Sequence, residues 1–458
     1  MLSSCNFSVA SRVSTSQKVW RDFRNFLCLA LLFVYLAVLP GGMLGFVVMT
    51  VCLMTKLTLM PNVKTFGLYL LLFGMKTMGM VTLAFGYPGV GGKIAFVIGI
   101  AIFIFFTDFH KTLKRIQAPL LYLVWIGVVL FLSYLNGPQT DYCTNKLSTI
   151  ITYGLILIIP FFYLMKSRSV DWCYLGQLGV LSALVCLSAC ILLSPSVRPD
   201  SILDVGAMRL ASLVDEDILE IRNLVAGLAL LGFVLYYAAT PDRFISRLSL
   251  AHLCVYLFTA LLVISWSGSR LPLVSAGFVV VTILLVKPLY KKRYKKIIVL
   301  FIGVSILVMV YGFSQQLQFF MSVADSSRSY ASRVNRDTNW EAACRRVIEK
   351  PVFGHGLGGY YIEGYSYPGG GTYAHNLALE LLSETGVVGT VLILAPILIW
   401  RKAISFSFLI RAKNGGAVFP LILLLFLQSM VSYNLSENIG LFSMIGAIAV
   451  SKRSFKKT

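Results

Sequence analysis

Apolar runs of roughly 15 to 21 residues recur along the chain between short polar connections. This spacing predicts membrane-crossing helices rather than strands or soluble amphipathic helices. The runs fall near residues 26–39, 41–54, 65–85, 93–108, 119–135, 148–165, 174–193, 223–239, 251–266, 271–286, 297–314, 377–400, 417–433 and 439–450. The first and last pairs are short for a hydrocarbon core of about 30 Å. Pro40-Gly41-Gly42 separates the first two runs. A hairpin there keeps Lys111, Lys114 and Arg115 on the side rich in basic residues, whereas one broken helix over 26–54 would move them across. The hairpin is favoured. The expected fold is all-α: a polytopic integral membrane protein with about 12–14 transmembrane helices, forming a single membrane domain over residues 1–458.

Composition agrees. Hydrophobic residues make up 57% of the 458 residues and charged ones 13%, with a mean hydropathy of +0.81. Ordinary soluble domains carry about 25% charged residues. A net charge of +21 would suggest nucleic acid in a soluble protein, but here it follows the positive-inside rule. With the N-terminus cytoplasmic, about two thirds of the Lys and Arg residues fall in cytoplasmic loops and tails. The loop holding Lys291-Lys292-Arg293 and Lys295-Lys296 is the firmest anchor, and both termini come out cytoplasmic. Residues 1–25 are polar, and no A-x-A pattern follows the first apolar run, so a retained anchor is expected rather than a cleaved signal peptide. The nine cysteines show no CxxC or His/Cys metal spacing. Cys28, Cys52, Cys186, Cys190 and Cys254 read as small hydrophobes, while Cys143 and Cys344 both face outward and could pair.

Two outer connections are large, 194–222 and 315–376, and the second is the larger. The first holds Arg198, Arg209 and Arg222 beside Asp200, Asp204, Asp215, Glu216 and Asp217. The second holds Arg328, Arg333, Arg336, Arg345 and Arg346, then a Gly/Tyr-rich stretch from Gly354 to Tyr361. Outer cations run against the topology rule. Guanidinium forks suit phosphate oxygens; salt bridges with nearby carboxylates are the plainer reading for any one of them. Arg270, in the tight outer turn Ser269-Arg270-Leu271-Pro272, is more pointed, because an ionisable residue at that depth marks function by default. Lys76 lies mid-segment, where it would meet phosphate in a polar cavity or pair with Glu380 or Glu384. Asp215-Glu216-Asp217 spells D-x-D, but such triplets are common in solvated loops, and no metal site is expected. Tyr360, Tyr361, Tyr365, Tyr367 and Tyr373 suit either sugar rings or the bilayer interface.

Four histidines are present. His110 and His252 fall on or near the cytoplasmic side. His355 is flanked by glycines in what reads as a flexible turn, a poor place to hold a base. His375 immediately precedes an apolar helix, with Asn376 as its expected N-cap. Glu380 and Glu384 follow on one face, spaced to orient the ring or restrain an arginine. His375 is therefore the candidate catalytic base.

Four elements in order resemble the O-antigen ligase/polymerase superfamily of bacterial envelope glycosyltransferases. They are Arg209-x3-Leu213 ahead of a helix; the Ser269-Arg270 turn; Arg336-x3-Trp340 leading to Pro351-x2-Gly354-x-Gly356; and His375-Asn376-x9-Gly386-x2-Gly389. The last is similar to the family's H-[NSQ]-x9-G-x2-G/T/Y signature. The resemblance implies a metal-independent enzyme without cofactor, working at the periplasmic face of the bacterial inner membrane. Its donor would be an undecaprenyl-diphosphate-linked glycan, and its acceptor a second glycan or lipid A–core. His375 would be the base or acceptor-positioning residue, with Arg209, Arg270 and Arg336 on the diphosphate. Lys76, Arg328, Arg333, Glu380 and Glu384 would support them. Membrane lipid and a chain-length regulator complete the expected partners, with no nucleic acid. Departures are two segments beyond the usual twelve and Pro272 where small residues are usual. A polymerase is the leading expectation and a ligase the alternative. A transporter or flippase of lipid-linked sugars would show internal repeats and interrupted helices, and no repeat is evident.

Overall fold

The computed structural model describes residues 27, 28, 30–32, 34, 35, 42–58, 60, 62–87, 90–106, 109–151, 154, 172–195, 217–239, 247–267, 272, 275–277, 339–359, 374, 376–399, 415–431, 435 and 440–446. Helix dominates, and no strand occurs among them. In chain order the helices are α1 (Gly42–Thr58), α2 (Val63–Ala84), α3 (Val90–Phe106), α4 (Phe109–Leu135), α5 (Trp172–Leu193), α6 (Asp217–Ala239), α7 (Arg247–Ser267), α8 (Leu377–Ile399) and α9 (Gly415–Val431). Residues 141–151 and 339–349 are also helical. Val63–Ala84, Tyr174–Leu193 and Leu377–Leu398 are each long and apolar enough to cross a membrane, and shorter apolar helices surround them. The protein is an all-α membrane protein. The runs expected at 271–286 and 297–314 lie almost wholly outside the described residues.

The first two apolar runs lie side by side. The Cys28 thiol donates to the Cys52 carbonyl at 3.8 Å, and the Cys52 thiol to the Cys28 carbonyl at 3.5 Å. That pairing is what a hairpin centred near residue 40 requires. α2 carries a π-helical turn at Leu70–Gly74, which the apolar pattern did not announce.

α5 is the centre of the bundle. It is apolar on all sides and buried along nearly its whole length, packed on α6, α1, α2 and α7. A helix hydrophobic all round has no face to give to water. Its contact with α6 is made by glycines. A Cβ on Gly176 would lie 2.3 Å from the Tyr236 amide nitrogen, and one on Gly179 would lie 2.8 Å from Gly232 Cα. Small residues let two helix backbones touch, which is how membrane helices gain packing without a hydrophobic driving force. Hydroxyl pairs tie α5 to its other neighbours, Ser188 to Tyr35 of the first apolar run at 2.9 Å and Ser182 to Tyr69 of α2 at 3.3 Å.

A second apolar cluster joins α4 to α8 through Tyr122, Ile126, Leu130, Leu377, Leu381 and Ile393. The Trp125 indole donates to the Leu392 carbonyl at 2.9 Å. This cluster carries the candidate site at its end.

Candidate functional site

The site grows from a break in α8. The helix starts where Asn376 Oδ1 accepts the amides of Ala378 at 3.0 Å and Leu379 at 3.2 Å, the expected N-cap. Ten residues on, Gly386 takes φ 63° and ψ −174°. That conformation ends the hydrogen-bond ladder, leaving carbonyls before it and amides after it without helical partners. At membrane depth such groups must be satisfied by protein.

The segment Pro351–Leu357 satisfies them. His355 N and Gly356 N donate to the carbonyls of Ser383 and Glu384, both at 2.9 Å. In return Val387 N donates to Pro351 O at 2.8 Å and Val388 N to Val352 O at 3.1 Å. The Ser133 hydroxyl adds a bond to the Glu384 carbonyl at 3.0 Å, and Leu357 N closes on Ser133 O at 3.1 Å. Glycine is required on both strands of this stitch. A Cβ on Gly354 would sit 2.6 Å from the Glu384 carbonyl, and one on Gly386 would sit 2.3 Å from Val352 O. The Pro-x2-Gly-x-Gly run and the x9-Gly motif, distinct in sequence, are thus two halves of one junction. Residues 133–147, 351–359, 376–386 and 435 all meet here. They belong to the same, outer, side in the charge-based topology.

Beneath the junction lies a buried ionic cluster. Lys146 Nζ donates to Glu380 Oε1 and, at 2.7 Å, to Glu384 Oε1. Lys146 is 4% exposed and both glutamates 0%. Glu380 Oε1 also accepts the Leu435 amide at 3.0 Å, and the Tyr142 ring lies 5.8 Å from the ammonium. The remaining oxygen of each carboxyl, Oε2, has no hydrogen-bond partner among the described residues. Sequence reasoning placed Glu380 and Glu384 on one face and offered Lys76 or an arginine as partner. The structure instead brings Lys146, while Lys76 is exposed on α2. The signal was there in part: two carboxylates at i,i+4 in an apolar helix demand a cation. Lys146 lies two residues before the apolar run 148–165, but its separation from Glu380 in sequence hides the pairing.

His355 is held firmly, contrary to the flexible turn expected around it. An Arg346 guanidinium N–H donates to Nδ1 at 3.2 Å, so Nε2 carries the hydrogen and donates to the Arg346 carbonyl at 3.1 Å. Burial, then the neighbouring Arg346 charge, push its pKa below the usual 6.5. With both nitrogens engaged, this neutral imidazole braces the turn. The flanking glycines serve close approach, not flexibility: Gly356, at φ 86°, leaves only 2.1 Å between a Cβ and Gly137 Cα.

His375, Arg209, Arg270, Arg328, Arg333 and Arg336 lie outside the described residues, as do Asp215, Glu216 and Tyr360, Tyr361, Tyr365, Tyr367 and Tyr373. Cys143 and Cys344 do not pair: both are free thiols, Cys143 buried beside the Thr140 hydroxyl at 3.1 Å and Cys344 exposed. The two lie on separate elements, and Cys143 is enclosed beneath Gly358.

An all-helical membrane bundle with a broken, loop-stitched helix defines the class. Residues 255–394, just under a third of the chain, match the family described as O-antigen ligase. The match runs from within α7 to within α8 and takes in both halves of the junction, placing this stretch in the O-antigen ligase/polymerase superfamily. Comparison with curated proteins and with solved structures returned no match.

Proposed function

We propose that the protein is an O-antigen polymerase-type glycosyltransferase. It joins undecaprenyl-diphosphate-linked oligosaccharide repeat units at the periplasmic face of the bacterial inner membrane, without a metal. The observation that carries this reading is the family match over 255–394, whose glycine motifs build the junction ten residues along α8 from the Asn376 cap. In the reaction, an acceptor hydroxyl attacks the anomeric carbon of the donor. The bond to the carrier-lipid diphosphate breaks as the new glycosidic bond forms, and the hydroxyl proton passes to His375. Arg209, Arg270 and Arg336 stabilise the charge that develops on the leaving diphosphate. The Asn376 cap and the cluster under Glu380 fix the helix start that carries the base.

A second reading, transfer of the finished glycan to lipid A–core, is favoured by the family's own description as a ligase. Transport is less well supported. α8 is interrupted, but the groups freed at Gly386 bond to residues 351–357 rather than line a cavity. Profiling the glycans of a deletion strain tests the proposal. Loss of a polymerase leaves single repeats on the lipopolysaccharide. Long chains stranded on the carrier lipid would identify a ligase and reject the polymerase. An R270K variant should lose most activity although the charge is kept, because an ammonium lacks the guanidinium fork.

A further inference from the structure

The Lys146–Glu380–Glu384 cluster is one ammonium short of balance if both carboxyls are ionised. It is closed from solvent on every side, and an uncompensated buried charge is among the costliest features a fold can hold. It also leaves two oxygens, Glu380 Oε2 and Glu384 Oε2, unsatisfied among the described residues. The two glutamates are one helical turn apart, so their carboxyls are neighbours. Each receives the ammonium and a backbone amide, that of Leu435 on Glu380 and that of Gly358 on Glu384.

We infer that this cluster is a proton-binding site: it holds one additional proton, shared by the Glu380 and Glu384 carboxyls. One proton removes both faults together. It neutralises the cluster, and it supplies a hydrogen where two carboxyl oxygens lack one. Among the described residues the other titratable groups packed around it are otherwise engaged. Tyr142 lies under the ammonium by its ring, and Cys143 bonds to Thr140. His355 is closed by Arg346, with Glu349 3.4 Å from its Nε2. The protonated cluster locks the outward half of α8, residues 377–385, to the 141–151 helix and to Leu435. On the functional reading above, this makes Lys146 and Glu384 positioning residues for the base that precedes the cap.

The test uses the full-length protein in lipid nanodiscs and needs no transfer activity, so its outcome is independent of the glycosyltransferase reading. Infrared spectroscopy at neutral pH should show a protonated-carboxyl C=O band in the wild type that is lost in E384Q. Thermal unfolding should find E384Q, a neutral isostere of the protonated state, melting with the wild type, while K146M melts far lower. Absence of the band from the wild type overturns the inference, as does E384Q falling as far as K146M. A wild-type melting temperature that rises with sodium, the rise being lost in E384Q, would assign the charge to a metal cation instead and likewise overturn it.

Discussion

Two places in this molecule press backbone against backbone through glycine, and they do so for opposite reasons. Between α5 and α6, Gly176, Gly179 and Gly232 admit two intact helices whose hydrogen bonds stay within each helix. At the α8 junction, Gly354 and Gly386 admit two segments whose hydrogen bonds cross between them. The first contact is dispersion and shape; the second is a unique pairing of donors and acceptors above a buried ionic cluster. A membrane bundle gains cohesion from the former. Fixed geometry for chemistry needs the latter, because packing alone tolerates small shifts that a hydrogen-bond stitch does not.

Several substitutions set the two regions against each other. The largest effect is expected for K146M, since removing one partner of a buried ion pair costs about 3–5 kcal/mol. Thermal unfolding in nanodiscs should show it, together with loss of glycan assembly. G386A comes next: a backbone at φ 63° and ψ −174° is essentially open to glycine alone and costs about 1–3 kcal/mol with a Cβ, and the clash with Val352 O adds to that. G232A in the α5–α6 contact should cost a similar amount by overpacking, about 1–3 kcal/mol. The comparison is sharpened by activity per folded molecule, which G386A should abolish and G232A should largely keep. If both variants lose it equally, the junction has no special standing. N376A removes the cap and should cost about 1 kcal/mol, read as a lower melting temperature and a reduced transfer rate.

The smallest effect is a pH dependence at His355. Its folded-state pKa lies below the ordinary 6.5 because burial and Arg346 disfavour the imidazolium. Above that value the ring is neutral in both folded and unfolded chains, and its contribution to stability is complete. As pH falls below 6.5 the unfolded chain takes up the proton first, so stability declines until the folded value is passed. H355Q should flatten this part of the melting-temperature profile.

Much of the bundle was legible in the sequence, because membrane helices are written as long apolar runs. The expected starts and ends of the run at 174–193 differ from α5 by two residues at most. Asn376 was legible as a cap, since short polar side chains before apolar helices have few other uses. The break at Gly386 was not. Its glycine was visible as part of a motif, but nothing local says that a segment thirty residues upstream supplies the missing hydrogen bonds. Lys146 was hidden for the same reason: the need for a cation is local to Glu380 and Glu384, while the supply is far away in the chain. The π-helical turn in α2 has an apolar sequence indistinguishable from that of an α-helix.

The proposed activity is tested most directly with the purified protein in liposomes containing an undecaprenyl-diphosphate-linked oligosaccharide, with excess chelator present. Longer glycans should form on the carrier lipid, with release of carrier diphosphate, and H375A should form none. Absence of any new glycosidic bond, or an H375A variant as active as the wild type, would contradict the account.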